Sequence, residues 1–303
     1  MGELDGRRAL VTGAAQGLGR ATAELLVARG ARVMLADVDA DAAEATAREI
    51  SGGEVAHAVR CDVTSAEDVA GAVEAASDAL GGLDTLVSNA GVELARPLVE
   101  HTEEEYDRIM AINVKGVWLG TKLATAALAE SGRGAIVNMA SVAVIGGAPL
   151  LGIYCASKAA VIQLTRVAAI ELRDSGIRVN AVCPSFVGGD MVARMADAFD
   201  DALPMSFDDA VAAKQARLGT AEEVAEMVGF LVSDDAAFVT GAHYVLDGGL
   251  TASGLRGGPA RRQGGGGHRR RPWSRPCGSR GLRRRRGNGG GLRRRRRGCR
   301  AGR

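Results

Sequence analysis

Tyr154 and Lys158 stand four residues apart in Tyr154-Cys155-Ala156-Ser157-Lys158, and Ser141 precedes the tyrosine by thirteen residues. On a helix an i, i+4 pair shares one face, so this spacing lets an ammonium sit beside a phenol. A phenol ordinarily titrates near ~10, and a nearby cation favours the phenolate, which moves the group toward acid–base work at neutral pH. Such a pair also arises on solvated helix faces. Two further features, in order along the chain, single it out here.

The first is Thr12-Gly13-Ala14-Ala15-Gln16-Gly17-Leu18-Gly19, which follows a β-rich run and opens a helical one. Glycines let the backbone turn and approach a pyrophosphate, and a helix N-terminus offers unpaired N–H groups and a positive dipole. A glycine turn can also serve packing alone. The second is Asp37, eighteen residues after Gly19 at the end of the next β-rich run. A carboxylate there can accept both adenosine ribose hydroxyls and repel a 2′-phosphate, which favours NAD over NADP. Neither Arg nor Lys follows at 38–41, and Gln16 adds no positive charge. The competing reading is that Asp37 caps the helix starting near Asp39.

These residues need a frame. Short β-rich runs occur at Ala9–Val11, Val33–Leu35, Val55–Val59, Thr85–Val87, Ala135–Val137, Ile177–Val179 and Tyr244–Leu246. Between them, segments near 17–29, 39–50, 66–80, 103–130, 155–174 and 221–232 place apolar residues at helical spacing. The alternation predicts an α/β fold, a Rossmann-type doubly wound parallel sheet of about seven strands with helices on both faces. From Pro184 to Leu218 the pattern breaks into Met, Phe and Asp, which reads as a lid or loose helices.

Charge divides the chain. The whole carries 38 Lys+Arg against 36 Asp+Glu, but residues 256–303 hold 19 Arg and no acid. The remainder has 19 basic and 36 acidic residues, a formal −17 beside +19. An acidic body, 1–255, therefore precedes an Arg/Gly-rich segment, 256–303, too poor in aliphatic residues to offset the entropy of ordering and expected to be disordered. Nucleic acid enters as a partner only through Arg283–Arg286 and Arg293–Arg297. The rival reading is a frameshift or read-through product of GC-rich codons. Five Cys without a C-x-x-C pair, and a start lacking an apolar signal region, point to a reducing cytoplasm. Four scattered His give no metal spacing, and no apolar run is expected to span a bilayer.

As a set, these motifs resemble the short-chain dehydrogenase/reductase family over about residues 5–252. To the features above the resemblance adds Cys61-Asp62-Val63, Ser88-Asn89-Ala90-Gly91, Ile112-Asn113-Val114, Pro184 and Leu246-Asp247-Gly248-Gly249. It implies that Tyr154 is the general acid/base, that Ser141 bonds the substrate oxygen, and that Asn113 supports a proton relay. Lys158 would lower the Tyr154 pKa and hold the nicotinamide ribose. Asp62 and Val63 would contact adenine, and Asn89, Ala90 and Gly91 would line the cofactor. Pro184 and Val187 join Gly13, Gln16, Gly17, Leu18, Gly19 and Asp37 in the implied cofactor site. The sequence departs from the family in Pro184-Ser185-Phe186-Val187-Gly188-Gly189, where P-G-x-V-x-T is usual. Ser185 replaces Gly, and Gly189 stands where a Thr would bond the carboxamide.

The expected activity is NAD-dependent hydride transfer between nicotinamide and a secondary alcohol or ketone, and the resemblance implies a homotetramer built on the helices at 103–130 and 155–174, with the last strand in a second interface. Val142–Ile145, Ala148–Leu151, Phe186 and the stretch 191–207 suit a hydrophobic or alicyclic substrate, whether steroid-like, cyclic alcohol or sugar, and equally suit core or subunit contacts. Two other readings stand: a 3-oxoacyl-acyl-carrier-protein reductase, usually NADPH-dependent, and a non-catalytic nucleotide-binding protein with a nucleic-acid-binding tail.

Overall fold

The computed structural model describes residues 3–252 apart from 53 and 203, so the segment 256–303 and the boundary drawn before it lie outside the described residues. Seven parallel strands form one sheet: β1 (Arg8–Thr12), β2 (Arg32–Asp37), β3 (Ala56–Arg60), β4 (Thr85–Ser88), β5 (Ala135–Met139), β6 (Arg178–Pro184) and β7 (His243–Leu246). Their order is β3-β2-β1-β4-β5-β6-β7. The central strands are short apolar runs buried on both sides, as a sheet covered on two faces requires.

One face is covered by α1 (Gly17–Ala28), α2 (Ala40–Ser51) and α9 (Ala221–Val232), with Leu26, Val224, Val228 and Leu231 in one core cluster with Val11 and Val33. The other is covered by α3 (Ala66–Leu80), α5 (Gly116–Glu130) and α6 (Gly152–Glu171), where Val69, Leu119, Leu128 and Ala169 pack with Leu10, Leu86 and Ile136. The expected helix over 103–130 is one continuous path in three parts: α4 (Glu103–Met110), a π turn over Ala111–Lys115, then α5. Thr102 and Glu105 form a reciprocal capping box at its start.

The stretch after Pro184 contains two helices, α7 (Asp190–Ala202) and α8 (Phe207–Lys214), separated from the sheet core by their own cluster of Leu151, Met195, Phe207 and Val211. Strand β6 runs five residues beyond the expected Val179. One expectation needs correction: α6, at 20 residues, is long and apolar enough to cross a membrane by length and composition. It carries the buried polar side chains of Ser157, Lys158 and Thr165 and packs against β6, which is the behaviour of a core helix.

Candidate active site

Strand order reverses between β1 and β4, and in open α/β sheets such a switch point opens a crevice for ligands at the strands' C-terminal ends. The glycine loop lies there. Gly13 and Ala14 donate their N–H groups back to Ala36 O at 2.8 and 3.3 Å. Gly17 opens α1 at φ +57° with open space where a Cβ would stand, whereas a Cβ on Gly19 would meet Gly13 O at 2.1 Å. Conformation demands the first glycine and close approach the second. Gln16, exposed at the N-cap, makes no side-chain capping bond, so the first N–H groups of α1 are open to an anion. Half-buried Leu18 packs against the core under α1.

Asn89 ties the opposite wall to this loop. Its Nδ2 donates to Thr12 O at 3.0 Å and Gly13 O at 2.9 Å, and the N–H groups of Asn89 and Ala90 donate to Thr12 Oγ1. Asp37, half-buried at the end of β2, accepts from Ala15 N–H at 3.0 Å on one oxygen and from Asp39 N–H at 3.1 Å on the other. The cap of α2 is Asp39, which accepts from Ala42 N–H at 3.1 Å. Asp37 is therefore not spent on capping; it is oriented beside the glycine loop. Asp62 accepts from Thr64 N–H and Oγ1 at 2.9 and 2.8 Å. Val63 is buried against Gly116, so its side chain belongs to the core.

Ser141, Tyr154 and Lys158 converge at the end of β5. Tyr154 and Ser141 share a hydrogen bond and line one cavity. Lys158 is buried, donates to Met139 O at 2.7 Å, and sits 5.7 Å from the Tyr154 ring centre. A Cβ on Gly91 would stand 3.3 Å from Lys158 Nζ and 3.4 Å from Asn113 Oδ1, so the glycine leaves the amine and the amide close together. Asn113, fully buried in the π turn, accepts from Val92 N–H at 2.8 Å. It donates to Val92 O at 2.9 Å and Ser157 Oγ at 3.0 Å. Ser157 in turn donates to Tyr154 O. Asn113 therefore locks the loop after β4 to the helix of Tyr154. Its amide contacts are with Val92 and Ser157.

Burial dominates the titrations. It pushes the Tyr154 phenol up to about 12, against the Ser141 hydrogen bond, with the Glu93 charge adding to the rise. It pulls Lys158 down to about 8. Removal of water around both groups sets these shifts, and the Ser141 hydrogen bond is what opposes the rise of the phenol.

The cavity, about 450 Å³, is walled by Ile145, Leu151, Phe186, Met191, Val192 and Met195, among others. Val144 instead packs into a core cluster, and Phe207 braces Phe186 edge-on at 4.8 Å. Leu250 and Thr251 complete the wall, with Thr251 N–H and Oγ1 donating to Asp247 at 2.7 and 2.6 Å. Pro184 ends β6 buried, and Val187 pairs with Gly219 and packs against the main core. Gly189 takes φ +146°, a conformation a Thr would adopt only under strain.

Three residues not singled out by sequence reasoning are packed into this site: Ser157, Gln215 and Glu93. Buried Gln215 accepts from Ser185 Oγ and from Phe186 N–H, and donates to Phe186 O at 2.7 Å and Arg217 O at 3.0 Å. The departure at Ser185 has a physical counterpart in that knot. Glu93 lines the cavity beside Tyr154. Its signal in the sequence was a lone acid two residues beyond Gly91, among apolar neighbours.

A family model described as Enoyl-(Acyl carrier protein) reductase matches residues 13–251. The chain is 40% identical over 243 residues to 2-(S)-hydroxypropyl-CoM dehydrogenase 3 of Xanthobacter autotrophicus, across 80% of this chain and 95% of that protein. It is 43% identical over 257 residues to cis-4-hydroxycyclohexanecarboxylate dehydrogenase of Sinomonas cyclohexanicum, across 83% and 100%. The crystal structure of a short-chain type dehydrogenase/reductase from Mycobacterium marinum superposes with a TM-score of 0.76 at 35% identity, covering 82% of this chain and 96% of that one. The motif set, the seven-stranded parallel sheet and these likenesses agree, and the chain belongs to the short-chain dehydrogenase/reductase family of oxidoreductases.

Proposed function

We propose that the protein is an NAD-dependent oxidoreductase of secondary alcohols and their ketones, with Ser141, Tyr154, Lys158 and Asn113 as its site residues. Ser141 and Tyr154 on the wall of one apolar cavity, with Lys158 buried beside Tyr154 at the end of β5, carry this reading. A binding module has no need of all three. The residues present fit a dinucleotide: the uncapped start of α1 and the open face of Gly17 suit a pyrophosphate, and Asp37 suits ribose hydroxyls. Asn89, Ala90, Gly91, Pro184 and Val187 would border the rest, and Asp62 the adenine. When bound, NAD supplies the hydride acceptor.

The chain's own residues do the remainder. Ser141 holds the carbinol oxygen, Tyr154 takes the hydroxyl proton as the C–H bond delivers its hydride, and the reverse reduces a ketone. Lys158 would hold the nicotinamide ribose of a bound cofactor and stabilise the phenolate. Asn113 acts chiefly through position, by fixing Val92 and Ser157 around Tyr154. The apolar walls exclude water and suit a hydrophobic or alicyclic body. The relatives named as dehydrogenases of hydroxypropyl-CoM and of cis-4-hydroxycyclohexanecarboxylate support that class. The acyl-carrier-protein reading is disfavoured by Asp37, which opposes a 2′-phosphate.

Assembly as a homotetramer is supported by apolar side chains left exposed on α4, α5 and α6, namely Tyr106, Trp118, Val167 and Ile170. The three free cysteines among the described residues, Cys61, Cys155 and Cys183, accord with a reducing cytoplasm. The test is a panel of secondary alcohols with NAD and NADP, followed at the nicotinamide absorbance. Turnover should favour NAD, and Asp37→Ala should erase most of that preference. A preference for NADP in the wild type would overturn the cofactor assignment.

A further inference from the structure

Glu93 is a charged side chain set in an apolar wall. It is 7% exposed and lines the same cavity as Ser141 and Tyr154. Its approach is rigid, because Asn113 clamps both the N–H and the carbonyl of Val92. A carboxylate in such surroundings needs hydrogen-bond partners. One is Arg194 on α7, itself 65% exposed, with its guanidinium 3.4 Å from Oε1. The other is the backbone N–H of Glu93. No further donor among the described residues reaches the carboxylate. A carboxylate offers about four lone-pair sites, so acceptor capacity remains beside the reacting hydroxyls. Arg194 offsets part of the charge, which favours a neutral donor over a second cation. Lys214, the other charged residue on the cavity wall, is exposed at the end of α8.

Resting on the alcohol chemistry assigned to Tyr154, we propose that Glu93 accepts a hydrogen bond from a second hydroxyl of the substrate and makes the cavity selective for diols with an apolar body. One carbinol loses its C–H hydride to NAD and its O–H proton to Tyr154; the other hydroxyl is held at Glu93 and stays intact. A site built to bond a substrate hydroxyl rejects an analogue lacking it, because the buried acceptor is then left short of a partner.

The test compares kcat/KM with NAD for cyclohexanol, cyclohexane-1,4-diol and 4-aminocyclohexanol, in the wild type, Glu93→Gln and Glu93→Leu. The wild type should favour the diol over the mono-alcohol by about tenfold or more, mainly through KM. Glu93→Leu should bring that ratio close to one. Glu93→Gln, which keeps an acceptor oxygen, should retain part of it; if the leucine variant fails to fold, a several-fold fall in the glutamine variant carries the result. A wild-type ratio near one, a ratio untouched by both substitutions, or a preference for the amino alcohol overturns the proposal. Oxidation of none of the three, nor of any other secondary alcohol, by an NAD-binding wild type would sink the parent reading as well, which separates the two failures.

Discussion

At the scale of single residues, the phenol and the amine are set against each other by the same lack of water. Tyr154→Phe removes only the proton-carrying hydroxyl, so turnover should fall by about 10²–10⁴-fold while NAD affinity holds, as single-turnover kinetics and a binding titration would show. Wild-type turnover in that variant would refute the assignment. Lys158 gives a stability signature. Its folded pKa of about 8 lies below the ordinary value of 10.5, so below pH 8 the fold confines a charge that the unfolded chain keeps in water. Stability from this group therefore rises between pH 8 and 10.5, where the folded state has already released its proton. Lys158→Met should be inactive yet more stable than the wild type by a few kcal/mol at neutral pH, of the order such a shift implies, with the gap closing by about pH 10.5 in urea melts. A gap independent of pH would show that the amine is not the cause. Tyr154, Lys158 and Asp37 were legible because their spacing alone places them on a helix face or at a strand end. Glu93 and Gln215 were not, because their importance comes from what α7, α8 and the loop after β6 bring against them.

At the scale of elements, alternating β-rich and helical runs were enough to foresee the sheet, since short apolar strands between helices have few other solutions. The π turn in Ala111–Lys115 was hidden, because α4 and α5 read as one helix and only the extra backbone residue reveals where Asn113 is turned inward. The two helices after Pro184 were read as loose because their apolar residues serve a small cluster of their own rather than the sheet. Gln215 shows how that region is pinned. Gln215→Leu would leave the backbone groups of Phe186 and Arg217 without their partner and should cost about 2 kcal/mol or more in denaturant unfolding. Ser185→Gly removes one hydrogen bond and should cost about 1 kcal/mol. Equal losses from the two would mean that the glutamine amide is not what holds this loop.

At the scale of the whole molecule, every proposed cofactor and site residue lies before Leu255. A chain ended there should oxidise alcohols at the full-length rate and elute as four subunits in light scattering; a clean monomer, or loss of turnover with the fold intact, would contradict this. Should full-length protein bind nucleic acid where the shortened chain does not, the binding should be sequence-independent and weaken steeply with salt. The two ends of the described residues are anchored differently. Leu4 is buried and donates its N–H to Arg29 O at 2.9 Å, ahead of the strand starts and away from the cavity. Leu250 and Thr251, by contrast, are cavity wall, and Gly248 lies against Gln215 O. Mechanical tension entering from the C-terminal side is therefore delivered straight to the surface that shapes the substrate, whereas tension at the N-terminal side is taken up by Arg29 and β1. An immobilised enzyme should be tethered by its beginning.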